Sequence, residues 1–147
     1  MILTKPQTAI YTSKSRFISV VAGRRFGKTY LSTIILLRMA LSGKGKNCWY
    51  VAPTYKSAKD IAWDMLIQTV PPDYIQKKNE STLTIRLKNG SVISLKGAEK
   101  PDNLRGRSLD LAVLDEFADM KPETWYEVIR PSLSDRQGDA VFIGTPK

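Results

Sequence analysis

The sequence predicts an α/β protein with a mostly parallel sheet, helices on both faces and one local β-hairpin at about 82–95. Strand-like and helix-like segments alternate through the first half of the 147-residue chain, and further strand-like segments follow in the second half. The composition is that of a globular protein, with 42% hydrophobic and 25% charged residues. A single cysteine, Cys48, excludes an intrachain disulfide, and the absence of histidine excludes histidine-based catalysis.

The first half contains four segments of alternating type. Residues 16–22 are apolar and β-branched, which is typical of a buried strand, and residues 29–42 form a long apolar segment that suits a helix ending at Gly43. Residues 47–52 predict a second strand, and residues 57–70 have apolar side chains at helical spacing. This order favours parallel strands joined by crossover helices.

The predicted hairpin follows. A two-residue turn would place apolar side chains opposite polar ones. A three-residue turn with Gly90 in a left-handed conformation instead pairs Leu83 with Leu95 and Ile85 with Ile93. We therefore expect a type I turn followed by a bulge.

The remaining elements are an apolar strand at 109–114, a helix from Pro122 through Ile129, and a last strand at 139–145. We expect Tyr11 and Phe17 to pack in the core.

The charge is distributed unevenly. The formal net charge is +9, and the first 59 residues contain 11 basic and no acidic residues. This excess is either a solvated basic surface or the binding surface of a polyanion, such as a nucleotide or a nucleic acid. The sequence has no signal-peptide pattern and no apolar stretch of membrane-spanning length, so we expect no membrane partner.

Residues 22–29, Ala-Gly-Arg-Arg-Phe-Gly-Lys-Thr, lie between the first predicted strand and helix, which is the context of a Walker A phosphate loop. Ala22 replaces the first glycine of the strict pattern, and Gly23 follows it. In this interpretation Lys28 binds phosphates and the Thr29 hydroxyl binds Mg²⁺. The alternative is an ordinary basic turn. The residues expected to contact nucleotide are Gly23, Arg24, Arg25, Phe26, Gly27, Lys28 and Thr29.

Asp115 and Glu116 follow the apolar residues 111–114, as in a Walker B motif. Asp115 would hold Mg²⁺ and Glu116 would polarise the attacking water. An acidic pair alone is more often a capped strand end, but the upstream Lys28-Thr29 pair favours the catalytic interpretation. Together the two motifs predict a P-loop NTPase of the RecA-like (ASCE) type that binds ATP and Mg²⁺.

The sequence resembles the ATPase domain of the large terminase subunit of tailed bacteriophages. The resemblance is carried by residues 22–29, 104–107, 113–116 and 142–146, and it extends over nearly the whole chain. It implies a motor module that couples ATP hydrolysis to the translocation of double-stranded DNA into a procapsid. It also implies a homo-oligomeric ring, a portal protein and a small terminase subunit as partners, in the cytoplasm of a bacterial host.

The resemblance assigns roles to further residues. Arg24 would sense the γ-phosphate within its own subunit, and Thr145 of the Gly-Thr-Pro motif would respond to the same phosphate. Gln7 would contact the adenine base, although a lone glutamine is usually a surface residue.

Arg105 would act in trans as an arginine finger on the ATP of a neighbouring subunit. Arg107 is the competing candidate for this role. The alternative for Arg105 is a loop residue that forms a salt bridge with Asp102 or Asp110.

Full-length terminases of this kind also carry an RNase H-like nuclease domain. We therefore expect residues 1–147 to be the N-terminal part of an incomplete ATPase domain without nuclease activity. Two other functions stay open: a non-catalytic nucleotide- or DNA-binding remnant, and a fragment of a superfamily 2 helicase-like ATPase.

Overall fold

The computed structural model describes residues 3–13, 15–23 and 26–146. Its seven strands form one sheet in the order β1-β7-β6-β2-β5-β4-β3. The strands β1, β7, β6, β2 and β5 are parallel, while β4 and β3 are antiparallel to their neighbours. In chain order, β1 to β7 are Phe17–Val21, Asn47–Ala52, Ile75–Asn79, Thr84–Leu87, Val92–Gly97, Leu111–Asp115 and Asp139–Gly144.

Four helices accompany the sheet in the described part of the chain, besides short 3₁₀ turns. Helix α1 is Lys5–Thr12 and α2 is Lys28–Leu41. Helix α3 comprises three consecutive segments, and α4 comprises two. None of the helices in the described ranges is long and apolar enough to cross a membrane. The segments of α3 are Tyr55–Ala58, the π-helical Lys59–Trp63 and Asp64–Thr69, and those of α4 are the π-helical Thr124–Ile129 and Arg130–Ser134.

The sheet separates two apolar clusters. One contains residues of α2 and α3 packed on the sheet, such as Leu36 and Leu66, and the other contains residues of α4, such as Ile129 and Leu133. Helices therefore cover both faces of a mostly parallel sheet, which confirms the predicted fold class.

The predicted hairpin is confirmed in register and turn type. Ile85 pairs with Ile93, and the Leu95 N–H donates to the Leu83 carbonyl at 2.9 Å. Gly90 has φ +86°, the left-handed conformation that this turn requires.

Other predictions were incomplete. Helix α1 and strand β3 were not predicted, and α4 extends past Ile129 to Ser134 although it contains Pro131. Phe17, expected in the core, is 40% exposed because β1 lies at an edge of the sheet. Tyr11 is only half-buried, with the Arg38 guanidinium carbon 4.5 Å from the centre of its ring.

Gly138 lies where α4 turns back into β7, and the fold leaves no room there for a side chain. A Cβ atom at this position would lie 2.4 Å from the Leu109 carbonyl oxygen. We expect Gly138→Ala to lower the free energy of unfolding by roughly 1–3 kcal/mol, because the backbone must shift to relieve the clash. Urea unfolding measures the change. Gly144→Ala is the matched control, since a Cβ there meets nothing within 4 Å, and equal midpoints for the two variants would contradict the prediction.

Candidate nucleotide-binding site

The three sequence motifs meet at one end of the sheet. The phosphate loop follows β1, the acidic pair ends β6, and Thr145 follows β7. These strands are adjacent and parallel, in the order β1-β7-β6. Their carboxyl ends therefore lie together, at the edge where ligands bind in open α/β sheets.

The phosphate loop leads directly into helix α2. Gly27 is the N-cap residue with φ +76°, and the Leu31 N–H donates to the Gly27 carbonyl oxygen at 3.0 Å. The unpaired N–H groups of this helix start point into the loop and favour an anion. The predicted contacts Arg24 and Arg25 lie outside the described residues.

Gln7 anchors the phosphate loop to helix α1. Its amide nitrogen donates to the carbonyl oxygens of Phe26 at 2.7 Å and Gly27 at 3.3 Å, and its amide oxygen accepts from the Thr4 N–H at 2.9 Å. The side chain is buried. A Cβ atom on Gly27 would lie 2.6 Å from the Gln7 Nε2 atom, so a glycine is required sterically as well as for its positive φ.

Lys28, Thr145 and Glu116 form a continuous hydrogen-bond chain. The Lys28 ammonium group donates to the Thr145 hydroxyl at 2.5 Å and to the Ala22 carbonyl oxygen at 2.8 Å. The Thr145 hydroxyl in turn donates to the Glu116 Oε1 atom at 2.6 Å. One residue from each of the three motifs is thus linked through directly bonded atoms.

Asp115 is held rigidly beside this chain. Its carboxylate accepts hydrogen bonds from the Tyr50 hydroxyl and from the Glu116 N–H, the latter at 2.9 Å. Burial raises the pKa of Asp115, and the hydrogen bond from Tyr50 acts in the opposite direction. Burial and the neighbouring Asp115 also raise the pKa of Tyr50 far above its usual range, so this hydroxyl remains a donor.

Glu116 has an unusual backbone conformation. Its φ is +50°, in the left-handed region that few residues other than glycine adopt. Such conformations are enriched at functional sites because the surrounding structure must hold them in place. Here the Asp115 carboxylate accepts the Glu116 N–H, and Thr145 binds the side chain.

Arg105 and Arg107 occupy different surroundings. Arg105 Nε donates to Asp102 at 2.7 Å, and the same guanidinium donates to the Glu127 carbonyl oxygen at 3.1 Å. Asp102, and not Asp110, is therefore its salt-bridge partner. Arg107 lies near Lys96, since its charge contributes to lowering the pKa of that lysine.

Sequence reasoning did not identify Tyr50, nor the contact of Gln7 with the phosphate loop. Tyr50 lies on β2 beside Val113 of β6, so its hydroxyl reaches Asp115 only through the register of the two strands. A Thr-x-x-Gln capping box was the one sequence signal for Gln7, and the structure contains it at Thr4 and Gln7.

The phosphate loop, the acidic pair at the end of a neighbouring parallel strand, and the mostly parallel sheet together define a P-loop NTPase fold. Comparison with known proteins gives the family. Residues 20–147 match the family described as terminase large subunit, T4likevirus-type, N-terminal. The chain belongs to this family.

Relatives and solved structures agree with this assignment. The terminase large subunits of Thermus virus P23-45 and Thermus phage G20c are each 31% identical to this chain over 160 aligned residues, which cover 96% of this chain and 33% of theirs. This chain therefore spans about a third of the length of these curated relatives. The large terminase ATPase domain of Thermus phage P74-26 is 29% identical with a TM-score of 0.83, over 96% of this chain and 64% of that one.

More distant structures share the fold. The large terminase of bacteriophage HK97 has a TM-score of 0.80 at 17% identity, over 99% of this chain and 33% of that one. The large terminase of another thermophilic bacteriophage, in complex with ATP-γ-S, has a TM-score of 0.75 at 18% identity, over 97% of this chain and 38% of that one.

Proposed function

We propose that the chain is the ATP-binding and ATP-hydrolysing module of a DNA-packaging motor, which couples hydrolysis to translocation of double-stranded DNA into a procapsid. The observation that carries this proposal is the hydrogen-bond chain from Lys28 through Thr145 to Glu116. It connects the residue that would bind phosphate to the residue that would activate water. Family membership supports the choice of DNA as the translocated polymer.

ATP would bind with its phosphates in the loop at 23–29 and at the N-terminus of α2. Lys28 is already turned toward the carboxyl ends of β1 and β7, where it donates to Ala22 and Thr145. A phosphate oxygen placed there accepts from the same ammonium group, and it is a stronger acceptor than a hydroxyl. Complexes of the thermophilic bacteriophage large terminase with ADP and with ATP-γ-S support a nucleotide as the ligand of this fold.

The donor groups fit a Mg²⁺ ion that arrives with the nucleotide. Thr29 in the first turn of α2 supplies a hydroxyl and Asp115 a buried carboxylate with free lone pairs. Within the described residues, no group of three or more acidic, histidine or cysteine side chains forms a complete cage for a metal. Mg²⁺ is usually bound by one or two carboxylates together with substrate phosphates, and it neutralises the charge that develops on them.

For hydrolysis, Glu116 would orient the attacking water and accept its proton. In this structure its carboxylate is bound to Thr145, which is bound to Lys28. Binding of the γ-phosphate by Lys28 removes the donor that now fixes Thr145, so the position of Glu116 depends on the occupancy of the phosphate site. Arg24 would contact the γ-phosphate within the subunit, and Arg105 would act on the ATP of a neighbour.

The full motor would act as a homo-oligomeric ring that contacts a portal protein and a small terminase subunit. It would operate in the cytoplasm of the bacterial host, on viral or prophage DNA.

Nucleotide titration of Lys28→Ala tests the proposal. We expect a loss of ATP affinity of about ten- to a hundred-fold, because the variant lacks a charge-assisted hydrogen bond to phosphate. Lys44→Ala is the matched control, since Lys44 is an exposed lysine that follows the same helix. Isothermal titration calorimetry with ATP and Mg²⁺ gives both affinities. Equal affinities for the two variants would contradict the assignment of the phosphate site.

A further inference from the structure

One face of the strands β3, β4 and β5 is not covered by the apolar cluster under α4. That cluster takes residues from β2, β6 and β7 but none from these three strands. The opposite face does contribute to the core, through Ile85, Ile93 and Leu95 among others. Since side chains alternate between the faces of a strand, the residues between these apolar ones lie on the side of α4.

Four cationic residues belong to this face, which we name the basic sheet face: Lys77, Arg86, Lys96 and Arg107. Lys77 of β3 and Arg86 of β4 are direct cross-strand partners, and both are exposed. Lys96 lies on the same side of β5, with its ammonium nitrogen 5.3 Å from the centre of the buried Trp49 ring. Arg107 lies close enough to Lys96 to lower the pKa of that lysine, after the larger effect of burial.

These cations lack the acidic partners found elsewhere on the molecule. None of the four forms an ion pair within 4.0 Å among the described residues. On the other side of the sheet, by contrast, Lys59 lies 4.0 Å from Glu80. Like charges directly opposite each other on two strands destabilise a sheet. The Lys77–Arg86 pair thus concentrates uncompensated positive charge that an external anion can neutralise.

The arrangement suits the phosphate backbone of a duplex. Neighbouring strands lie about 5 Å apart, so the cations form a row across the sheet and not a single pocket. Strands β3, β4 and β5 contain no aromatic residue, whereas surfaces that bind single strands use aromatic side chains on which bases stack. We infer that the basic sheet face binds the phosphate backbone of double-stranded DNA, an inference that rests on the proposed function for the choice of nucleic acid.

Fluorescence anisotropy with a labelled 30-base-pair duplex of random sequence tests the inference. The variant is Lys77→Ala with Arg86→Ala, and the matched control is Lys59→Ala with Lys78→Ala. The control removes the same charge from the other side of the sheet, because Lys78 pairs with Ile85 of the core face. We expect the first variant to bind at least about tenfold more weakly near 0.1 M salt, with a salt slope smaller by roughly 1.8, and the control to bind like the wild type.

A second variant separates binding from folding. Lys77→Glu replaces the repulsive pair with an attractive one, so we expect a raised melting temperature together with weaker duplex binding. Equal loss of affinity in both double variants, or no loss in either, overturns the inference. A single strand of the same length that competes as well as the duplex overturns the choice of ligand. ATP affinity is measured in parallel, and it should be unchanged in every variant, so failure at this face is distinguishable from failure of the ATP site.

Discussion

Replacing Glu116 by glutamine is expected to reduce ATP hydrolysis by roughly 10²- to 10⁴-fold while ATP binding is retained, because the variant lacks the proton acceptor for the attacking water. The geometry should survive the substitution. The glutamine carbonyl oxygen can still accept the hydrogen bond from Thr145, and the backbone hydrogen bond to Asp115 does not involve the altered side chain. Steady-state phosphate release measures turnover, and calorimetry measures binding.

Glu123→Gln is the matched control. Glu123 is an exposed carboxylate beside the start of α4, away from the hydrogen-bond chain, and its substitution should leave hydrolysis unchanged. Wild-type hydrolysis by Glu116→Gln would mean that another group activates the water.

The neighbouring carboxylate should behave differently. Asp115→Asn is expected to weaken the Mg²⁺-dependent part of ATP binding, because an amide is a poorer ligand for this hard cation. Titrations with ATP in the presence and in the absence of Mg²⁺ compare this variant with Glu116→Gln. Identical profiles for the two variants would contradict the division of roles between metal binding and water activation.

The sequence predicted the elements whose signal is local. The strands β1, β2, β6 and β7 are short apolar runs, and α2 is a long apolar segment between glycines. Strand β3 carries no such signal, since Ile75 is its one apolar residue and its side chains are largely exposed. It is a strand because it pairs with β4, which is a tertiary contact that no local pattern encodes.

Helix α4 shows why a boundary set by a proline was wrong. Pro131 has no N–H, so the Glu127 carbonyl oxygen four residues earlier loses its usual helical donor. Arg105 donates to that oxygen at 3.1 Å, and the Arg130 N–H bonds to the Trp125 carbonyl oxygen in the π-helical pattern. The helix continues through rearranged hydrogen bonds, one of which comes from a distant loop.

The candidate site was predictable where one motif carries each residue. Lys28, Asp115, Glu116 and Thr145 stand next to strand ends that the sequence itself marks, and parallel strands place those ends together. The contact of Tyr50 with Asp115 depends on the register between β2 and β6, which sequence patterns leave open.

The second large effect is expected at Arg105, in subunits assembled into a ring. Arg105→Ala should leave ATP binding intact and reduce hydrolysis by a factor on the order of 10³, as for other arginine fingers. The side chain is 47% exposed and lies in the loop before β6, on the surface where a neighbouring subunit can approach. It contacts neither Lys28 nor Glu116 among the hydrogen bonds of the described residues, so it has no evident role in its own ATP site.

The salt bridge with Asp102 and the hydrogen bond to Glu127 provide the competing explanation, in which Arg105 only fixes its loop against α4. Asp102→Ala separates the two. If Arg105 only holds the loop, removing either partner should have similar effects on thermal stability and on hydrolysis. If Arg105 acts on a neighbour's ATP, Asp102→Ala should retain most of the hydrolysis that Arg105→Ala loses, because it leaves the guanidinium in place. Arg107→Ala tests the other candidate finger in the same assay.

Mixed rings decide whether the arginine acts in trans. Arg105→Ala subunits retain Glu116, and Glu116→Gln subunits retain Arg105, so each supplies what the other lacks only across a subunit interface. We expect the mixture to hydrolyse ATP faster than either variant alone, with a maximum near equal proportions, where mutant neighbours of opposite kind are most frequent. Lys28→Ala with Arg105→Ala in one chain is the control, since such subunits neither bind ATP nor donate the arginine and should give no rescue. Assembly of the mixture without any gain in hydrolysis would show that Arg105 belongs to its own subunit, as the loop residue bound to Asp102.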